Sequence, residues 1–346
     1  MDGENKWHKA ETPAIHAAGL DLGYRSAQGL NLLASGISFD LQQGELTCLM
    51  GPNGVGKSTL LKAIMDQHPP IKGAVFLGKE NVRQISDKER AKKVAVVLTE
   101  KIPSGAMTVL ELVALGRVPH TGWWGRLSPH DQSVVNKVMD MTNIRDLAGK
   151  KLAALSDGQR QTALIARALA QDSPILILDE PTAHLDLTNR FEIMYLLRDL
   201  AKKAAKAILV VTHDLEVAME TADKLWIMEA HKPLLTGSPE DLMIQGGIQN
   251  LLPGNKWQID AASGKIRLKD PARLPQIDGP AHLSHWIRNA FRKNRELAQP
   301  ERIVVSEQPF SILLDFADQK EEVNSIAEMI GFLRLRAKKN NSNTSR

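Results

Sequence analysis

Cysteine is almost missing from this chain. Cys48 stands alone among 346 residues, which excludes an internal disulfide framework and any cysteine-rich zinc module. Aromatic residues make up only 4%, which argues against an all-β binding module stacked with Trp and Tyr. No run approaches the roughly 20 apolar residues that a membrane-spanning helix needs. The opening Met1-Asp-Gly-Glu-Asn-Lys6 lacks the basic-then-apolar pattern of a secretory signal. Charge of one sign is also in small excess, a net +4. Residues 251–346 hold 16 Lys/Arg against 11 Asp/Glu, and the remainder hold 28 against 29. The basic surplus is therefore C-terminal and scattered, the pattern of solvated helix faces rather than of a nucleic-acid groove. These absences predict a soluble, cytoplasmic chain with no nucleic-acid partner.

What is present is a large apolar fraction, 43%, in a chain long enough for two or three domains. Residues 14–24, 36–41 and 45–50 read as strands, the last a short apolar run that stops at Gly51. A helix is expected from Lys57 to about Gln67, and a polar one over 87–93 precedes an apolar strand at 94–98. Residues 107–148 read as helices around a loop rich in Gly, Pro and Trp. A further helix is expected over 159–171. The runs 175–178 and 207–211 are too apolar to have a wet face. Such strands alternating with helices predict an α/β fold whose mainly parallel sheet is covered on both sides. After Leu252-Pro-Gly254 the pattern changes. It reads as a hairpin about Ser263-Gly264, a helix (282–297), two strands (302–305, 310–316) and a closing helix (321–336). Residues 254–337 are thus expected to form a small separate α+β domain, with 1–13 and 338–346 disordered.

Three segments carry chemistry. Gly51-Pro-Asn-Gly-Val-Gly-Lys-Ser58 fits G-x-x-x-x-G-K-[ST] in full, between a strand and a helix as the motif requires. Gly51, Asn53, Gly54, Val55 and Gly56 would present backbone N–H groups to an anion at the helix N-terminus, with Pro52, which has no N–H, shaping the same binding loop. Lys57 would reach the β- and γ-phosphates, Ser58 would ligate Mg²⁺, and Thr59 would add an α-phosphate contact. Ile175-Leu-Ile-Leu-Asp-Glu180 is an apolar strand ending in two carboxylates. Asp179 suits Mg²⁺, and Glu180 suits orientation of an attacking water. Leu155-Ser-Asp-Gly-Gln-Arg-Gln161 begins a helix, and Ser156 with Gln159 also satisfies a simple capping box.

In this order and spacing the motifs of residues 14–245 resemble the ATP-binding cassette family, whose signature is Leu-Ser-Gly-Gly-Gln. The resemblance implies a P-loop nucleotide-binding domain over 14–250. It would have a mainly parallel core sheet, an antiparallel β subdomain and a helical signature subdomain at about 101–158. It implies ATP hydrolysis with ATP and Mg²⁺ bound. Ser156, Gly158 and Gln159 of one subunit would close on the γ-phosphate held by the P-loop of another. Tyr24 matches the aromatic that stacks on adenine; a strand tyrosine facing the core is the alternative reading. Asp186 matches the loop residue linking the two sites of a dimer. His213 matches the switch histidine that senses the γ-phosphate. Two positions depart from the pattern. Asp157 replaces a signature glycine and is expected to point away from the nucleotide. Thr99, with Glu100 beside it, stands where the family places a Mg²⁺-associated glutamine.

Residues 107–130 resemble the branch of the family that energises import of ferric siderophores, haem or cobalamin. One P-loop, one signature and no membrane span imply a homodimer. That dimer would sit beneath separate permease subunits, with a substrate-binding protein as an indirect partner, peripheral on the cytoplasmic face of the cell membrane. Trp123 and Trp124 are read either as a permease anchor or as local packing. An exporter ATPase remains an alternative, as does a soluble cassette acting on ribosomes or DNA. Against the last, this chain holds a single cassette and no sustained heptads between P-loop and signature.

Overall fold

In a computed structural model, the described residues are 12–26, 29–98, 106–122, 124–252, 254, 256–260, 264, 266–269 and 274–344. Strands β1 (Ile15–Ser26) and β2 (Gly29–Leu41) form a long antiparallel pair, and β3 (Leu46–Met50) leads to helix α1 (Lys57–Ile64). Next come β4 (Lys72–Leu77), β5 (Glu80–Asn81), α2 (Asp87–Lys93) and β6 (Val94–Val97). The helical segment comprises α3 (Val109–Leu115), α4 (Pro129–Met141) and α5 (Asp157–Ala170). The chain returns through β7 (Ile175–Asp179), α6 (Leu187–Lys203), β8 (Ala207–Val211), α7 (Leu215–Thr221), β9 (Lys224–Ile227), β10 (Leu235–Gly237) and α8 (Pro239–Ile244).

The central sheet has the order β10-β9-β3-β8-β7-β6. It is parallel except at β10, which pairs antiparallel with β9. Strand alternation explains why the central positions of its members are mostly apolar. Leu46, Cys48, Met50, Leu176, Leu178, Ile208 and Val210 point into the core shared with α3 to α6. Leu49, Ile175, Ile177, Leu209, Val211 and Trp226 point into a second core shared with α1 and the antiparallel sheet β2-β1-β4-β5. With both faces buried the alternates are apolar as well, except for the fully buried Thr47 in β3. The ends of β3, β7 and β8 then open on one edge, where the loops to α1, α6 and α7 begin.

The remaining elements are the hairpin β11 (Trp257–Ile259) and β12 (Ile266–Leu268), then β13 (Gln276–Asp278), α9 (Ala281–Lys293), β14 (Arg302–Glu307), β15 (Phe310–Asp315), β16 (Lys320–Val323) and α10 (Ile326–Thr344). Contacts divide the chain into 1–267 and 268–346, later than the break at Gly254. The hairpin's first strand accounts for the difference. Gln249 Nε2 donates to the Trp257 carbonyl at 2.8 Å, the Ile259 N–H donates to Gln249 Oε1 at 3.0 Å, and Ile259 packs on the first core. The second unit is a four-stranded sheet, β13-β14-β15-β16, whose Ile303, Val305, Ile312 and Leu314 form a core with Ile287 and Phe291 of α9 and Met329 and Leu333 of α10.

Two expectations about this unit are corrected. Residues 320–323 form an edge strand, because Val323 pairs with Ile312 and turns into the core, while the charged neighbours suit an unpaired edge. The stretch after Arg336 is helical to Thr344 rather than disordered, since a helix satisfies its backbone groups internally, and 345–346 lie outside the described residues. Residues 1–11 lie outside the described residues. Among the described residues no helix is long and apolar enough to cross a membrane.

Candidate functional site

The buried strand β3 ends at Met50, and Gly51 turns the chain out of the sheet at φ 155. A Cβ there would lie 2.4 Å from the Met228 carbonyl oxygen, so only glycine lets the loop pass this close to the strand beside it. Gly56, at φ 113, caps α1. Between them the loop wraps around the Lys57 side chain. Its ammonium donates to the Gly51 carbonyl at 2.7 Å and the Pro52 carbonyl at 3.0 Å, and the residue is 8% exposed. Burial lowers the Lys57 pKa, opposed by the charges of Glu180 and then Asp179. The loop thus holds a desolvated cation behind the N-terminus of a helix, an arrangement suited to phosphate.

One cavity of about 500 Å³ is lined by Tyr24, Asn53, Gly54, Gly56, Lys57, Ser58, Thr59, Asp179, Glu180 and His213, with Leu33 and Val211. Burial raises the Asp179 pKa, as does the Glu180 charge, while Lys57 and His213 oppose this. Glu180 takes φ 50 at the end of β7, its N–H held by the Val211 carbonyl at 2.9 Å. A left-handed non-glycine residue at such a place is backbone strain kept by its surroundings. Its Oε1 lies 2.8 Å from His213 Nε2. A second cavity, of about 430 Å³, begins at the same Glu180 and His213 and continues over Thr182, Arg190 and Asp214. Arg190 joins its walls, donating to the Leu185 carbonyl at 2.8 Å and pairing with Asp214 at 3.0 Å.

Tyr24 is 40% exposed, which disposes of a core-facing tyrosine. Its hydroxyl is 2.9 Å from Thr59 Oγ1. Its ring lies 4.8 Å, centroid to centroid, from that of His68.

The signature residues lie elsewhere. Ser156 caps α5 by accepting from the Gln159 N–H at 3.3 Å, while Gln159 Oε1 accepts from the Ser156 N–H at 3.3 Å. Asp157 is exposed and pairs with Arg160 at 3.4 Å. Ser156, Gly158 and Gln159 open on a different cavity, of about 1020 Å³, shared with Leu187, Asn189, Phe191 and Tyr195 of α6. Asp186 caps α6, accepting from the Asn189 N–H at 2.9 Å and the Asn189 amide at 2.8 Å. Asn189 in turn approaches Gly158, where a Cβ would meet its Oδ1 at 3.0 Å.

The sequence reading thus splits into two clusters. The P-loop, Tyr24, Asp179, Glu180 and His213 share a cavity, whereas Ser156, Gly158 and Gln159 line another, to whose wall residue Asn189 Asp186 is bonded. Thr99, Glu100 and Trp123 fall outside the described residues; Trp124 is 87% exposed. Sequence reasoning passed over His68, Asn189 and Arg190, which no motif marks. Residues 107–130 carry the likeness to one branch, and the packing of 116–120 within them is distinctive. A Cβ on Gly116 would sit 2.1 Å from the Arg167 carbonyl oxygen. Arg117 Nε donates to Asp131 at 2.8 Å, its other nitrogen to the Ala170 carbonyl at 2.9 Å, and His120 Nε2 is 2.8 Å from the Gln171 carbonyl.

Comparison with known proteins follows this geometry. Residues 34–183 match the family model described as ABC transporter. The chain is 42% identical over 251 residues, 72% of its length, to an ABC transporter ATP-binding protein of Methanocaldococcus jannaschii, covering 85% of that protein. It is 35% identical to the ferric enterobactin transport ATP-binding protein of Escherichia coli, over 65% of this chain and 81% of that one. Among solved structures it resembles a metal-chelate type ABC transporter in an inward-facing conformation. That likeness has a TM-score of 0.59 and 29% identity, covering 69% of this chain and 88% of that one. A strand-ending P-loop, two carboxylates at the end of β7, one strand removed from β3 in the same parallel run, and these relatives agree: the chain belongs to the ABC transporter family and is one of its ATP-binding, ATP-hydrolysing subunits.

Proposed function

We propose that this chain energises uptake of an iron complex, siderophore or haem, or of cobalamin, through a separate membrane permease. It would work as an ATP-sandwich homodimer on the cytoplasmic face of the cell membrane, served indirectly by a substrate-binding protein. The observation that carries the dimer is the separation of the two clusters. One chain gathers the P-loop and carboxylates about one cavity and exposes its signature helix end on another, so each chain supplies half of each site. A structural neighbour of 27% identity and TM-score 0.55, covering 65% of this chain and 98% of its own, is a dimeric ATP-binding cassette in a post-hydrolysis state with ADP and phosphate. The substrate class draws on printed relatives: besides the enterobactin protein, an achromobactin transport ATP-binding protein of Dickeya dadantii is 36% identical over 66% of this chain and 84% of its own.

Within the site, Lys57 holds the β- and γ-phosphates, exchanging its two loop carbonyls for anionic oxygens. Thr59 contacts the α-phosphate, and Tyr24 stacks on adenine. Ser58 and Asp179 fit Mg²⁺, a hard cation that takes oxygen donors. Asp179 favours such a partner because burial and the Glu180 charge both penalise its ionised form. Bound there with the nucleotide, Mg²⁺ would neutralise phosphate charge. Glu180 accepts a hydrogen bond from the attacking water and orients it, and His213 Nε2 fixes the carboxylate that does so. Positioning and charge neutralisation supply the catalysis, and differential affinity for the closed dimer performs the work.

The test is co-purification of the tagged chain from detergent-solubilised native membranes. A polytopic permease at stoichiometric ratio, with an importer's binding protein, supports the reading. Ribosomes, DNA, an exporter-type membrane domain or no membrane partner would overturn it.

A further inference from the structure

We infer that His68 is a positioning residue for nucleotide base recognition: it holds Tyr24 from behind, in the orientation that receives the adenine ring. The inference rests on the proposed stacking role of Tyr24 and adds a residue that no motif contains. Two contacts carry it. His68 Nε2 lies 2.9 Å from the Gly23 carbonyl, the peptide immediately before Tyr24. The imidazole ring lies 4.8 Å from the Tyr24 ring at an interplanar angle of 34°.

The site needs such a support. Tyr24 stands near the end of β1, and its burial is incomplete. Its hydroxyl is anchored to Thr59 Oγ1 at 2.9 Å, which fixes one end of the ring but leaves rotation about the axis through that hydroxyl. A second aromatic face against the ring removes that freedom. Tyr24 lines the P-loop cavity and His68 does not, so the imidazole meets the ring from outside that cavity. His68 is itself held by the end of α1: the Gln67 and His68 N–H groups both donate to the Lys62 carbonyl, at 2.8 and 3.2 Å. Helix α1 therefore supplies both supports of the base platform, Thr59 from its first turn and His68 just past its last. The same helix begins with Lys57 and Ser58, so base and phosphate recognition share one rigid element.

The test compares ATP with inorganic triphosphate, which meets the P-loop but has no base, on the purified full-length chain by calorimetry. His68→Ala is expected to weaken ATP about three- to tenfold, the size of an aromatic pair contact, with the triphosphate Kd unchanged. His68→Phe, which keeps an aromatic face behind Tyr24, is expected to restore most of the loss. Tyr24→Ala is measured beside them. If it leaves the ratio of ATP to triphosphate affinity at the wild-type value, the base-platform reading of Tyr24 fails and this inference with it. If Tyr24→Ala shifts the ratio and His68→Ala does not, only the role of His68 is overturned. Equal weakening of both ligands by His68→Ala would also overturn it. Should the alanine variant not fold, His68→Leu against His68→Phe makes the same comparison, with equal affinity for ATP as the refuting result.

Discussion

Asp131→Ala removes a buried carboxylate from beneath a buried cation, and its cost can be worked from the contacts. Arg117 is 2% exposed and has two acceptors, Asp131 Oδ1 and the Ala170 carbonyl. The other oxygen of Asp131 accepts from the Ser128 N–H at 2.9 Å and the Ser128 hydroxyl at 2.6 Å, closing the capping box of α4. Breaking a buried ion pair from one side costs about 3–5 kcal/mol, because the remaining charge stays desolvated. Loss of the cap adds about 1 kcal/mol. The expected loss is a large share of the about 5–15 kcal/mol that holds a typical domain together. Asp131→Asn keeps the shape and one acceptor and is expected to cost less, about 1–3 kcal/mol. The assay is urea unfolding, with hydrogen exchange followed on peptides spanning α4 and α5 to localise the loss. The acid limb gives a second reading. The Ser128 hydroxyl, then its N–H, then the Arg117 guanidinium hold the Asp131 carboxyl well below the usual carboxylate range. Its folded pKa is depressed, so this contribution is fully present above the unfolded value of 3.8 and is lost only as pH falls on towards the folded value. A shift below about 1 kcal/mol for Asp131→Ala, or an Asp131→Asn acid limb identical to wild type, would refute the reasoning.

Three further outcomes are expected. Glu180→Gln should bind ATP and lose about 10²–10⁴-fold in hydrolysis, leaving an ATP-stabilised dimer visible by light scattering; retained turnover would remove Glu180 from catalysis. Lys57 carries a pKa lowered by burial and is needed charged against phosphate, so ATP affinity should fall as pH rises through that lowered value. The decline should begin below the ordinary 10.5 and should vanish in Lys57→Ala, whose ATP affinity is lower throughout, as calorimetry across alkaline pH will show. Cys48 has its thiol pushed up to about 12, by burial first and the Asp223 charge second. It should resist alkylation in the native protein and react only on unfolding, as mass spectrometry along a urea series will show.

What was legible in the sequence follows from where the physics is local. The apolar runs within 45–50, 175–178 and 207–211 announce a sheet buried on both faces, because side-chain alternation leaves no wet position. The P-loop is legible because glycine and lysine spacing is the mechanism itself. Ser156 and Gln159 read correctly as a cap for the same reason, since a capping box spans only three residues. The misreadings are non-local. The Lys320-Glu-Glu-Val run resembles a helix start by composition and becomes a strand only because Ile312 offers a pairing register. His68 carries no signal at all, since its partner Tyr24 is 44 residues away and the α1 terminus alone brings them together. Asn189 escaped likewise, its tie to Gly158 visible only once α5 and α6 are packed.

The segment 112–120 shows why a family likeness and a packing constraint need to be separated. Gly116, Arg117 and His120 are spent on seating α3 against the C-terminal end of α5, through the Arg167, Ala170 and Gln171 carbonyls. Those carbonyls are the unsatisfied end of a helix, so a guanidinium and an imidazole are the residues that physics favours there. In this chain those residues therefore fix how α3 sits on α5 within the helical segment. Under the proposed function this joint would bear on transport through mechanics, because it would have to stay rigid for closure at the nucleotide to reach a permease docked on the helical segment. Gly116→Ala tests the point directly. Its Cβ, 2.1 Å from the Arg167 oxygen, forces α3 and α5 apart. ATP affinity set by the P-loop should survive, whereas coupling of hydrolysis to a co-reconstituted permease should be lost. If coupled transport persisted in a variant whose α3–α5 joint is shown by hydrogen exchange to be loosened, the joint would have no part in transmission.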